Sequence, residues 1–195
     1  MDQPILGIIA GIIGFLGFVP YILDTLNHKT KPNKATWIIW AFLGIIIAAS
    51  YYSAGARASA WLPAAYAVGI IIIAALSLRY GENGWTVLDK VCLLGAGAGL
   101  GLWAITNDPV FALYLTTIVD AIGALPTIMK AYERPESESR AAWVLFLTAD
   151  ILNLLAISEW TLAMALYPVY VSMLGMVMNA LLIIPRKGGK KSAAH

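Results

Sequence analysis

The stretch GFVPYILDTLNHKTKPNKATW, Gly17–Trp37, returns 106 residues later as GALPTIMKAYERPESESRAAW, Gly123–Trp143. Gly17/Gly123, Pro20/Pro126 and Trp37/Trp143 fall in one gapless register, and Gly69/Gly175 extends it. Asp2/Asp108, Ala35/Ala141 and Ala74/Ala180 keep the same offset. Two apolar sequences match readily by chance at aliphatic positions, so the weight lies on the rarer Gly, Pro and Trp. A fixed offset of this kind marks an internal duplication.

Outward from that repeat, the chain divides into seven apolar segments near 4–26, 36–55, 60–79, 87–105, 109–130, 141–158 and 161–184. Crossing a bilayer takes about 20 predominantly apolar residues. The composition agrees, with 60% hydrophobic and 12% charged residues, against about half and a quarter in soluble domains. The expected fold is an all-α membrane protein of seven transmembrane helices. They form two parallel three-helix repeats joined by a linker helix: residues 1–86, a linker over 87–106, and 107–195 with a basic tail. Two three-span units can share one orientation only if an odd helix separates them, a layout in which transporters build a central site. The connections leave no room for a soluble domain. Met1-Asp2-Gln3 carries no positive charge and no small-residue cleavage site follows, so the first segment reads as a span rather than a signal peptide.

The basic residues set an orientation. Lys29, Lys31 and Lys34, then Arg79 and Lys90, then Lys130, Arg134 and Arg140, then Arg186, Lys187, Lys190 and Lys191 all fall on one side; Arg57 alone falls on the other. The positive-inside rule places the amino terminus outside and the carboxyl terminus in the cytoplasm of a plasma or inner membrane. Trp37, Trp40, Trp85 and Trp143 lie at cytoplasmic span ends and Trp61, Trp103 and Trp160 at outer ends, which reads as an interfacial aromatic belt. In the fourth span Gly95, Gly97, Gly99 and Gly101 form small-xxx-small patterns that favour close helix packing, as do Gly7, Gly11 and Gly14 in the first.

Ionisable residues at membrane depth are costly and usually face a bundle interior or a wet cavity. Asp120 lies ten residues before Lys130, and Asp150 ten after Arg140. At the helical rise both sit roughly 15 Å from the cytoplasmic edge, near the midplane. Their first-copy counterparts are Gly14 and Gly44. Carboxyl groups so placed can couple transport to protons, bind a polar solute, or hydrogen-bond a neighbouring helix. Asn153, three residues after Asp150, and Asn179 in the seventh span offer donors and an acceptor to a solute or another helix. Tyr51, Tyr66 and Tyr170, in the outer half with Tyr52, Tyr114 and Tyr167, are candidates to stack on an entering solute. Pro20 and Pro126 break backbone bonding at equivalent depths and are candidate hinges; Pro63 and Pro168 occupy outer parts of spans three and seven.

Gly17-Phe18-Val19-Pro20-Tyr21 through Trp37, and Gly123-Ala124-Leu125-Pro126-Thr127 through Trp143, resemble the two repeat units of SWEET / PQ-loop (MtN3-like) transporters, over nearly the whole chain. The resemblance implies a seven-helix carrier working by alternating access between its two bundles. It implies a substrate-binding asparagine in the seventh span, to which Asn179 is the nearest match. The solute expected is sugar-like or nucleoside- or vitamin-like; a non-transporting PQ-loop-like receptor or scaffold is the alternative.

Other classes lack their chemistry. Cys92 is the single cysteine, and His28 and His195 have no partners at metal-ligand spacing, so no metal site is expected. With no nucleophile–base pair or phosphate loop, no enzyme, catalytic residue or cofactor is expected. The seventh span has no lysine before Lys187, which excludes a retinal-type receptor. The expected partners are a small polar solute, the lipid bilayer and protons. Homo-oligomerisation is left open, and no nucleic acid is expected.

Overall fold

The computed structural model describes residues 3–53, 61–105 and 109–183. It contains α1 (Gln3–Leu26), α2 (Lys34–Ser53), α3 (Trp61–Tyr80), α4 (Val87–Ile105), α5 (Pro109–Glu133), α6 (Arg140–Leu155) and α7 (Leu162–Ile183), with a 3₁₀ turn at Pro135–Ser137. Among the described residues there is no strand. Three stretches, Gln3–Leu26, Trp61–Tyr80 and Met164–Ile183, are long and apolar enough to cross a membrane. Outward faces are apolar as well: Ile12, Phe42, Leu78, Leu94 and Met173 are all more than half exposed. The basic tail residues Arg186, Lys187, Lys190 and Lys191, and Arg57, lie outside the described residues.

Local chemistry sets the helix ends. α1 closes where His28 takes a left-handed φ of 57°, and the amides of Lys29 and Thr30 turn back to the Asp24 carbonyl. Asn33 Oδ1 accepts from the Thr36 amide at 3.0 Å and caps α2. Thr86 and Asp89 cap α4 reciprocally, the Asp89 amide donating to Thr86 Oγ1 and the Thr86 amide to Asp89 Oδ2. Ser139, before α6, donates its hydroxyl to Asp24 Oδ2 at 2.6 Å and so ties α6 to α1.

α3 packs against both α1 and α2, and α7 against both α5 and α6. Across the molecule α1 packs on α6 and α2 on α5, while α4 lies against α5 and α2. The repeat glycines serve this cross-packing. A Cβ on Gly17 would stand 3.3 Å from the Leu145 side chain, and one on Gly123 would stand 2.7 Å from Ile39. Leu145 is 106 residues after Ile39, so the two contacts exchange under the repeat offset. Gly11, Gly14 and Gly69 also admit close neighbours.

Two expectations are corrected here. Trp37, Trp40 and Trp143 are buried in the core rather than placed in a cytoplasmic belt; Trp61, Trp85 and Trp160 are exposed as a belt requires. A flat indole inserted between helices buries more apolar area than one at a rim, which favours the inward position. Gly95, Gly97 and Gly101 of α4 do not serve close packing within the chain: a Cβ on Gly97 or Gly101 would meet nothing within 4 Å, and one on Gly95 only Ile122 at ordinary contact distance; the packing at Gly99 lies outside what is described. Their open sides face away from neighbouring helices because α4 lies at the periphery.

The three connections after α1, α3 and α5 meet at one end. Lys130 Nζ donates to the Lys31 carbonyl, the Lys31 amide to the Ser137 carbonyl, and the Glu82 amide to the Pro32 carbonyl. Arg134 pairs with Glu82, and Asn33 Nδ2 donates to Glu82 Oε2 at 3.2 Å and Asp89 Oδ1 at 2.9 Å.

Candidate functional site

A cavity lies at the centre of the helices, offering about 80 Å³ to the centres of water-sized molecules, room for several waters. α1, α2, α3, α5, α6 and α7 all contribute to its wall, and α4 contributes none of the described lining residues. Gly44 of α2 lets α3 approach closely, a Cβ there standing 3.4 Å from the Ala67 Cα. Pro63 and Pro168, in the amino-terminal parts of α3 and α7, also line it.

Asp120 and Asp150 both face this space and are both buried. They are held differently. Two phenols of α7 converge on Asp120: Tyr170 donates to Oδ2 at 2.7 Å and Tyr167 to Oδ1 at 3.1 Å. The three-residue spacing puts both hydroxyls on one helix face. The indole of Trp40 donates to the Asp120 carbonyl at 3.4 Å. Asp150 is held from α3, where Tyr66 donates to Oδ1 at 2.9 Å. The Tyr66 ring lies over Gly14, where an added Cβ would stand 2.7 Å from Cε1. Gly14 is bare where its counterpart Asp120 is acidic: the Leu62 side chain, 2.5 Å from an added Cβ, and the phenol serving Asp150 together fill that space.

The wall between the carboxyl groups and the connection-rich end is aromatic. Ring centroids run from Tyr21 to Trp37 at 4.8 Å, to Trp40 at 5.3 Å and to Trp143 at 6.4 Å. They continue to Phe146 at 5.8 Å, which meets Phe18 at 4.8 Å and Tyr66 at 5.7 Å. Below this stack Glu138 collects donors from three helices. Trp143 Nε1 donates at 2.8 Å, the Tyr21 hydroxyl at 3.4 Å, and Lys130 forms an ion pair with it. The Lys130 and Glu138 side chains are 2% and 0% exposed, so a buried charge pair lies at this end.

Of the residues singled out from sequence, the cavity brings together Asp120, Asp150, Asn153 and Tyr66, with Tyr170 joined through its bond to Asp120. Asn153 is buried, and its Oδ1 has no hydrogen-bond partner among the described residues. Asn179 does not line the cavity; its Nδ2 donates to the carbonyls of Trp143 and Gly175, each at 2.8 Å, clamping α7 to α6. A seventh-helix amide in this register reaches backbone on the neighbouring helix before it reaches the cavity. The side chain of Tyr51 lies outside the described residues. Pro20 and Pro126 sit inside α1 and α5 and do not line the cavity.

The sequence reading missed the cavity tryptophans and the Lys130–Glu138 pair. One signal for the former was available: Trp37 and Trp143 occupy matching positions in both copies, more than an interfacial belt demands. For the latter there was none, since Glu138 sits in a charged connection that reads as solvated. No family model, curated protein or solved structure matches this chain.

Proposed function

We propose that this protein is a seven-span membrane transporter that moves a small polar solute by alternating access. The two three-helix units, α1–α3 and α5–α7, clasp the site, with α4 as the linker. The observation that carries this reading is the pair of buried carboxyl groups, Asp120 and Asp150, on one central cavity walled by helices from both units. Buried carboxyl groups in an apolar bundle are retained at a cost, and a solute or proton path accounts for them. The reciprocal packing of α1 on α6 and α2 on α5 supports two like units. The meeting at one end of three connections that carry or are flanked by Lys and Arg supports an outside amino terminus. The resemblance to SWEET / PQ-loop carriers rests on the repeat signposts and agrees with this reading. The closed end, capped by Glu138 and Lys130, is read as cytoplasmic, and Pro20 and Pro126 as the hinges about which the units rock.

Purified protein in liposomes, offered sugars, amino acids, amines and nucleosides with and without a pH gradient, tests the proposal. Saturable uptake of at least one solute is expected, and Asp120→Asn and Asp150→Asn should abolish gradient-driven uptake while leaving the folded protein intact. Unchanged uptake in both variants removes the proton role. No uptake of any solute by folded protein turns the reading toward a receptor or scaffold.

A further inference from the structure

We infer that the central cavity selects a small organic cation, one bearing a protonated amine or similar nitrogen centre. This inference rests on the transport reading for its biological meaning, but the binding chemistry can be measured without transport.

Charge is the first ground. Asp120 and Asp150 line the cavity, and none of its described lining residues is Lys, Arg or His. The groups that hold the two carboxyls are neutral phenols, Tyr167 and Tyr170 on one and Tyr66 on the other. The buried cation nearest in role, Lys130, is committed to Glu138 outside the cavity lining. Two carboxyl groups therefore face one apolar space with no protein cation to meet them. A negative charge withdrawn from water is tolerated when it is paired, so a cationic guest supplies what the wall lacks.

The second ground is independent of charge. Asn153 is 3% exposed, lies one helical turn from Asp150, lines the same cavity, and presents Oδ1 without a partner. A buried acceptor left open calls for a donor. An ammonium N–H satisfies it and a carboxylate or phosphate does not. The third ground is the wall itself. Trp40, Trp143, Phe146, Phe18 and Tyr66 all line the space, and aromatic rings attract cations over their faces through the quadrupole, most strongly where water is excluded. A neutral sugar would use the hydrogen bonds but not the charge; an anion would be repelled by both carboxyl groups.

The test compares charged and neutral molecules of one shape. Protein in lipid nanodiscs is titrated with choline and its uncharged carbon isostere 3,3-dimethyl-1-butanol, and with butylamine and its counterpart 1-butanol. Quenching of the cavity tryptophans reports binding. At least ten-fold tighter binding of each cation than its isostere is expected. Asp150→Asn and Asp120→Asn should each narrow that gap by ten-fold or more, and Asn153→Ala should weaken butylamine more than tetramethylammonium, titrated in parallel, which has no hydrogen-bond donor. Equal binding of cation and isostere by the wild type overturns the inference whether or not the variants fold. So does saturable binding of glucose or uridine with none of either cation, and so does no saturable binding of any probe. Cation binding without uptake in liposomes sinks the transport reading alone. Uptake of a neutral solute with no preference for cations sinks this inference alone.

Discussion

At the residue scale the two carboxyl groups are unequal, and the inequality is testable. Asp120 receives two phenolic hydrogen bonds, at 2.7 and 3.1 Å, whereas Asp150 receives one from Tyr66, at 2.9 Å. Hydrogen bonds to a charged acceptor are worth about 1.5–3 kcal/mol each. Removing one of two partners leaves Asp120 held; removing the single phenol frees Asp150. Tyr66→Phe is therefore expected to lower uptake several-fold, and Tyr167→Phe, which leaves Tyr170 in place, to lower it less. Initial rates in liposomes, with thermal unfolding as a control for stability, check the order; a larger loss in Tyr167→Phe contradicts it. Both aspartates were legible from sequence as buried groups, because ionisable residues within an apolar span usually face a bundle interior. Their partners were not, since a tyrosine in an outer half-span reads equally well as an interfacial anchor.

At the scale of elements, the glycines separate helices that need close approach from one that does not. A Cβ on Gly69 would lie 2.2 Å from the Phe18 ring, whereas one on Gly97 would meet nothing within 4 Å. Overpacking of a core costs about 1–3 kcal/mol, while glycine within a helix is about 0.5–1 kcal/mol less favourable than alanine. Gly69→Ala should lower the unfolding temperature by several degrees and Gly97→Ala should hold or raise it, as measured by thermal unfolding in one detergent. The prolines make a second case. Pro20 and Pro126 lie within continuous helices, away from the cavity wall. If they act as hinges, Pro20→Ala and Pro126→Ala restore a backbone hydrogen bond and stiffen the helix. Uptake should slow while affinity in the nanodisc titration stays within about two-fold. Loss of affinity with unchanged uptake would place their role elsewhere.

Over the whole molecule, a buried ion pair lies at the end where three connections meet, and on the transport reading it is the closure of that end. Glu138 holds Lys130, Trp143 Nε1 and the Tyr21 hydroxyl, joining α1, α5 and α6 through the connection between α5 and α6. Removing one member of a buried pair costs about 3–5 kcal/mol, because the other charge is left unmatched. Glu138→Gln should therefore shift the protein toward a form open at this end. A cysteine placed on the cavity wall by Val171→Cys, in a Cys92→Ser background, reports the change: a membrane-impermeant thiol reagent applied from the side on which the three connections meet should label it at least several-fold faster in the Glu138→Gln protein. Equal labelling rates would mean that the pair is structural and not a closure.

What the amino-acid order determined by itself is everything that depends on counting along the chain. Apolar run lengths placed seven helices, among the described residues, within a few residues of their observed ends. Depth along a helix follows from the rise per residue, so Asp120 and Asp150 were legible as buried groups. Rotation about each helix axis was not, because spans apolar on every side carry no periodic signal to say which face turns inward. Only packing decided that Trp37, Trp40 and Trp143 stand in the core, that Asn179 clamps α7 to α6, and that Tyr66 reaches Asp150 over the bare backbone of Gly14. The pairing of Lys130 with Glu138 is likewise tertiary: only when three connections gather at one end do two charged residues from a polar stretch become a buried pair.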